Sequence, residues 1–301
     1  MREEPELVPE TVEEIGNASG ADGSAPGYRA NRTLPLNVEL RRQLSRKRTR
    51  AVLGCLVALP ALLIAAFALG GDGQSRQRAT DLGDLAVFNG SNFAVFTLLL
   101  CTHLLLVLTV ALFFGDAVAS ESSWASLRYL ATIPVPRHRL LRQKAIVAGL
   151  LSGLGLCVLT LSALAMGTLW YGTGALITPD GGVLTGPWSA FVLPAVCGYL
   201  TLHLTWVASL ALLFSVSTSN PLAAVGASVG ISVLSQLLDN VSRLGELRLL
   251  LPTHHATAWV DLLDSRIDWT NMANGALSAT VYASVFATAA LVRFRRSDIT
   301  S

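Results

Sequence analysis

Charge is scarce in this sequence. Asp, Glu, Lys and Arg make up 14% of 301 residues, where soluble domains carry about 25%. With 52% apolar residues, that scarcity excludes an ordinary soluble core. Of 22 basic residues only Lys47 and Lys144 are lysines. Arg46 and Gln143 precede them, so no G-x-x-x-x-G-K-[ST] phosphate loop can be built. Cysteine is limited to Cys55, Cys101, Cys157 and Cys197, each in a different apolar run and none at metal-ligand spacing. They read as small apolar fillers, not as a disulfide framework or a zinc site. Carboxylates are missing from the middle of the apolar runs, because Asp116 and Asp239 stand at run ends. A proton-driven pump is thereby disfavoured.

Long apolar runs fill the space that charge leaves. Residues 93–115 and 145–170 contain no Asp, Glu, Lys or Arg, and about 20 helical residues cross a bilayer core of about 30 Å. The same scan finds 51–70, 188–215, 221–238 and 273–292, which makes six predicted spans. The fold class expected is an all-α integral membrane protein, a helical bundle, because backbone polar groups in lipid must be satisfied within the protein.

The distribution of Lys and Arg sets the orientation. With both ends on one side, inner segments hold nine in residues 1–50, five in 116–144 and three after residue 292, against five in the outer loops. Both termini are therefore expected in the cytoplasm, with Arg46, Lys47, Arg48 and Arg50 anchoring span 1. Residues 1–34 carry seven acidic and three basic residues without apolar periodicity and read as a disordered cytoplasmic tail. In LPLNVELRRQLSRKRTR, Leu36, Leu40 and Leu44 recur every four residues among basic residues that include Arg42. An amphipathic helix at the membrane surface is expected over 35–50, the opening of a six-span unit covering 35–301. No A-x-A site follows span 1 before Gly71, which argues against a cleaved signal.

Between spans 2 and 3 lies a polar break, DAVASESSWASLRYLATIPVPRHRLLRQK, residues 116–144. Trp124, Leu127 and Ala131 repeat at i, i+3 and i+7, while Glu121 and Arg128 share another face, which predicts a short amphipathic helix. Ser120, Ser122 and Ser123 are placed to cap it, and Pro134 and Pro136 forbid its continuation. The IPVP element then turns the chain back extended toward the membrane, where Arg137, His138, Arg139, Arg142 and Lys144 form a basic cluster just before span 3. Such a cluster holds a helix end at anionic headgroups, and the whole segment also reads as a docking surface.

These residues resemble a family. An acidic residue after span 2, a Glu before a short helix, and L-x-x-x-P-V-x-R-x-x-L-x-x-x-K into span 3 are similar to the membrane subunit of ABC-2 type (type V fold) ABC transporters. Leu130, Val135 and Leu140 complete the pattern. The resemblance implies that 116–144 carries the coupling helix that docks on an ATP-binding subunit, with Asp116, Glu121, Trp124, Arg128, Pro134, Pro136, Arg137, Arg139 and Lys144 in that role. It extends to an interfacial helix before span 1, a tight inner turn in FSVSTSNPLAA, an outer re-entrant hairpin in LRLLLPTHHATAWVDLL and an inner terminus at FRRSDI. The function implied is a permease subunit of an ATP-driven exporter of a drug, antibiotic, lipid or glycolipid. It would have no cofactor in this chain, with ATP and Mg on two partner ATPase subunits, and a second permease as homodimer or heterodimer partner. The lysine-poor composition suggests a GC-rich bacterial source and hence the bacterial inner membrane, with no nucleic-acid partner.

Other motifs carry weaker chemistry. His103 and His203 are the ionisable residues deep in the spans and are candidate polar points on a pathway, although a neutral imidazole also simply bonds a neighbouring helix. Gly226, Ser228 and Gly230 spell G-x-S-x-G, but within an apolar helix, where Gly226 with Gly230 and Gly149 with Gly153 read better as G-x-x-x-G packing faces. His254, His255, Asp261, Asp264 and Asp268 match no strong zinc signature, and with Trp259 and Trp269 they read as an interfacial belt. Asn89-Gly90-Ser91 and Asn240-Val241-Ser242 match the glycosylation triplet. Two other function classes stay open: a non-transporting membrane scaffold and an intramembrane hydrolase using Ser228.

Overall fold

The structure is a computed structural model that describes residues 36–69, 82–123, 137–178, 182–184, 187–264 and 267–296. The apolar runs become helices. Five are long and apolar enough to cross a membrane, and the bent pair Gly90–Thr102 with Leu105–Ser120, counted as one broken span, makes a sixth candidate. In order, span 1 is Lys47–Leu69, span 2 is Gly90–Thr102 with Leu105–Ser123, and span 3 is Arg137–Tyr171. Span 4 is Pro187–His203 with Thr205–Ser217, span 5 is Pro221–Asp239 and span 6 is Trp269–Arg296. The chain is an all-α integral membrane protein, with apolar residues around the whole circumference of its spans.

Local chemistry starts these helices. The Asn89 side chain accepts a hydrogen bond from the Asn92 N–H at 2.9 Å, and Asn220 accepts from the Leu222 N–H at 3.0 Å with Pro221 at the first helical position. Asp268 accepts from the Thr270 N–H at 2.8 Å, and hydrogen bonding to Thr270 holds its carboxyl below the usual carboxylate range. Only Thr218, Ser219 and Asn220 separate spans 4 and 5, the tight turn expected from the sequence.

Span 2 departs from a simple rod. Its two helices meet at His103 and Leu104 with a bend of 58° and without a proline or glycine at the joint. The Gln236 side chain, from span 5, donates to the His103 carbonyl at 2.7 Å. A side chain inserted into the backbone ladder is a known cause of a sharp kink.

Span 2 is also the centre of the packing. Its second helix lies against spans 3, 4 and 5, its first helix against span 3, and span 1 against span 3. The second helix of span 4 runs along span 6. Leu98, Leu106, Leu159, Leu200 and Trp206 are buried between them, while Leu62, Leu161, Leu234 and Leu277 face outward. Exposed leucines in mid-span suit contact with lipid. A Cβ on Gly115 would stand 2.8 Å from Val225 Cγ2, so spans 2 and 5 touch there because residue 115 has no side chain.

Two regions outside the spans add to the expected bundle. Strands β1 (Leu176–Ile177) and β2 (Val183–Leu184) pair antiparallel, and Asn92 holds Ile177 at both its N–H and its carbonyl, at 3.0 and 2.8 Å. Outside lipid, backbone groups can be satisfied by such side chains as well as by a helix. Before span 6, 3-10 helices Ser242–Leu250 and Ala258–Leu263 flank a turn, where a hairpin was expected.

Candidate functional site

The polar junction of the molecule lies where the surface helix, the base of span 1, the end of span 2 and the start of span 3 meet. The surface helix runs over Leu36–Leu44 and buries none of its residues, as an amphipathic helix resting on a membrane should. It is shorter than the expected 35–50. The chain breaks at Ser45 and Arg46, where the Ser45 hydroxyl and N–H both bond back to the Arg41 carbonyl. Lys47, Arg48 and Arg50 therefore belong to the first turn of span 1.

That break aims two guanidinium groups at one carboxylate. Arg46 Nη1 donates to Asp116 Oδ2 at 2.6 Å and Arg48 Nη1 donates to Asp116 Oδ1 at 3.2 Å. The Asp116 side chain is 18% exposed, so these charge-assisted bonds are shielded in part from water. On the surface helix, Glu39 accepts from Arg42 Nη2 at 2.8 Å and from Gln43 Nε2 at 3.1 Å. Burial pushes the Glu39 carboxyl up. The bonds from Arg42 and Gln43 and the charges of Lys144 and Arg42 outweigh it and hold the group below its ordinary value. Lys144 enters from span 3 and is 6% exposed. Arg50 Nε bonds the Leu44 carbonyl at 3.3 Å, and Lys47 is exposed.

Residues expected in separate roles thus share one network. Asp116, taken with the coupling segment, binds Arg46 and Arg48, taken as anchors, and Lys144 acts on Glu39. Glu39 and Gln43 were not singled out from the sequence. The Glu39-Arg42 spacing is a visible i,i+3 pair, but nothing local links it to residue 144. Arg139 is half-buried in the first turn of span 3. Glu121 lies in the last turn of span 2, and Arg137 opens span 3. Trp124, Arg128, Pro134 and Pro136, with the helix expected around them, lie outside the described residues.

The described ends of this segment belong to spans 2 and 3. Ser120, Ser122 and Ser123 continue span 2, where the Ser120 hydroxyl folds back to the Asp116 carbonyl at 2.6 Å; the helix they were expected to cap lies outside the described residues. The basic cluster expected just before span 3 forms its first helical turns, so span 3 begins well ahead of its apolar part, while the IPVP element lies outside the described residues.

At the opposite end, His203 is 3% exposed and stacks on Tyr199, with Nδ1 lacking a partner among the described residues, while His103 sits exposed at the span 2 break. Of the two candidate pathway points, only His103 reaches the surface. His254 Nδ1 meets Asp239 Oδ1 at 2.6 Å, Asp261 accepts from Asn271, and Tyr199 donates to the His255 carbonyl at 2.6 Å. Trp259 is fully buried and so belongs to the core, not to an interfacial belt, whereas Trp269 is exposed. Asn89 is buried and its amide donates to the Ala175 carbonyl, which leaves no room for a glycan.

The glycine faces are also corrected. A Cβ on Gly153, Gly226 or Gly230 would meet nothing within 4 Å, and one on Gly149 only Phe114 Cζ at 3.8 Å, so no helix among the described residues packs closely on them. On span 3 the two glycines instead line an apolar pocket with Thr109, Ser152 and Thr201. Ser228, at the centre of G-x-S-x-G, is buried and donates to the Ala224 carbonyl of its own helix.

No curated protein matches the chain. The family model described as "ABC-2 family transporter protein" matches residues 44–299, a range that holds all six spans and the whole polar junction from Leu44 onward. The chain belongs to the ABC-2 family, as a membrane-spanning permease component of an ABC transporter that associates with ABC ATP-binding subunits.

Proposed function

We propose that this permease exports an amphiphilic substrate and that the junction around Asp116 passes the motion of the ATP-binding subunits into the spans. The carrying observation is the Arg46–Asp116–Arg48 cluster. It ties the end of span 2, from which the segment 124–136 departs, to the base of span 1 and the surface helix. A push on that segment reaches both elements at once, as coupling through a two-state element requires.

In this reading both termini face the cytoplasm. Glu121, Trp124, Arg128, Pro134, Pro136, Arg137 and Arg139 contact the ATPase, which holds ATP and Mg. Two ATPase subunits serve two permeases, as a homodimer or with a related chain, in a bacterial inner membrane. Spans 1, 2 and 5 of each permease line the path, and His103 is a polar point on it.

The test pairs Glu121→Arg with Arg137→Glu in the reconstituted complex. Transport coupled to ATP hydrolysis should fall sharply, with the ATP-binding subunit lost on purification. Unaltered coupled transport would remove the docking assignment. A scaffold reading would instead predict partner binding with no substrate-stimulated hydrolysis.

A further inference from the structure

Beside the Asp116 cluster a groove opens between the surface helix and spans 1, 2, 3 and 5. Its lining divides by chemistry. One end is polar, with Glu39, Arg46, Arg48, Asp116 and Lys144; the other is apolar, with Val52, Leu112, Phe113, Leu151 and Leu222.

We propose that this groove binds one anionic phospholipid from the leaflet on which the surface helix lies. Its phosphate would meet Arg48, and an acyl chain would lie on the apolar end. The polar end holds three cations against two carboxylates, so its balance favours an anion. Both carboxylates already accept hydrogen bonds, Asp116 from Arg46 and Arg48, and Glu39 from Arg42 and Gln43. Arg48 gives one long bond to Asp116, and its side chain is 69% exposed. A guanidinium has five N–H donors, which leaves Arg48 able to bind a phosphate while keeping Asp116. Arg41 and Arg42 on the surface helix, the basic first turn of span 1 and the adjoining apolar span residues set the groove at the depth where a lipid changes from headgroup to chain. A zwitterionic lipid would fill the apolar end equally well but would not answer the net charge.

The inference requires membrane insertion of the chain and not the coupling role. The test is native mass spectrometry of the full-length chain in mild detergent, doped with phosphatidylglycerol or phosphatidylcholine of identical acyl chains. One phosphatidylglycerol should be retained in preference to phosphatidylcholine. Arg48→Ala should lower that retention about tenfold, as expected for one charge-assisted contact. Arg41→Ala, an exposed cation on the surface helix outside the groove lining, should leave it unchanged. Leu222→Trp, at a position 70% exposed and so compatible with folding, should displace both lipids. Equal retention of the two lipids would overturn the proposal, as would equal losses from Arg41→Ala and Arg48→Ala, or no loss from Leu222→Trp. ATP-dependent movement of labelled phosphatidylglycerol across vesicles by the chain with its ATPase would overturn it as well, making the lipid cargo and not a resident.

Discussion

Asp116 accepts two guanidinium donors at the point where span 2 meets the surface helix. Asp116→Asn keeps the side-chain shape and removes the charge, and should cost about 1–3 kcal/mol, read as a lower melting temperature in detergent. Coupled transport should fall further than the stability loss explains, and restoration by Asp116→Arg with Arg46→Asp would identify the pair itself as the agent. Glu39 gives a pH dependence. Its folded value lies below its ordinary 4.5, so its contribution is fully present above the unfolded value and is lost as pH falls through the depressed one. Detachment of the surface helix, followed by a fluorophore at residue 36, should begin only below about pH 4.5 in wild type, and Glu39→Gln should show it already at neutral pH. At this scale the sequence was half legible. Asp116, Arg46 and Arg48 each stood out beside an apolar run, but their meeting depends on the break at Ser45 and Arg46, and no periodicity marks that break.

The most consequential irregularity among the helices is the bend in span 2, held where Gln236 bonds the His103 carbonyl. Gln236→Leu should let the two halves straighten. Spin labels placed in the two halves of span 2 should then move apart, with coupled transport reduced and the melting temperature nearly unchanged. An unchanged distance would mean that packing, and not this bond, bends the helix. Gly115 makes a complementary case, since a side chain there would press on Val225 from 2.8 Å. Gly115→Val should destabilise by about 1–3 kcal/mol through overpacking, visible in a thermal melt, while Gly226→Val on the open face of span 5 should leave the isolated chain near wild type. The sequence showed where helices run because apolar length is a local property. It did not show the bend, whose cause lies in another span, nor which glycines touch a neighbour: G-x-x-x-G marked Gly226 and Gly230, whereas Gly115 lies outside any such motif.

At the scale of the molecule, six candidate crossings, a basic surface helix and a family match over residues 44–299 describe the membrane-spanning component of an ABC transporter, whose family associates with ATP-binding subunits. Purification from the native host should therefore bring down a protein with a phosphate-loop motif, and Glu121→Arg with Arg137→Glu should release it. The six crossings were legible because each run exceeds the thickness of a bilayer; the β1–β2 hairpin was not, since Asn89 and Asn92 clasp it from the far side of two spans. The turn of Thr218, Ser219 and Asn220 also bears on how the protein is made. A connection of three residues gives spans 4 and 5 no freedom to insert separately, so they should leave the translocation channel as one hairpin. A stop codon placed after residue 217 should therefore strand span 4 and send the fragment to degradation, whereas truncation after span 5 should leave a product that remains in the membrane.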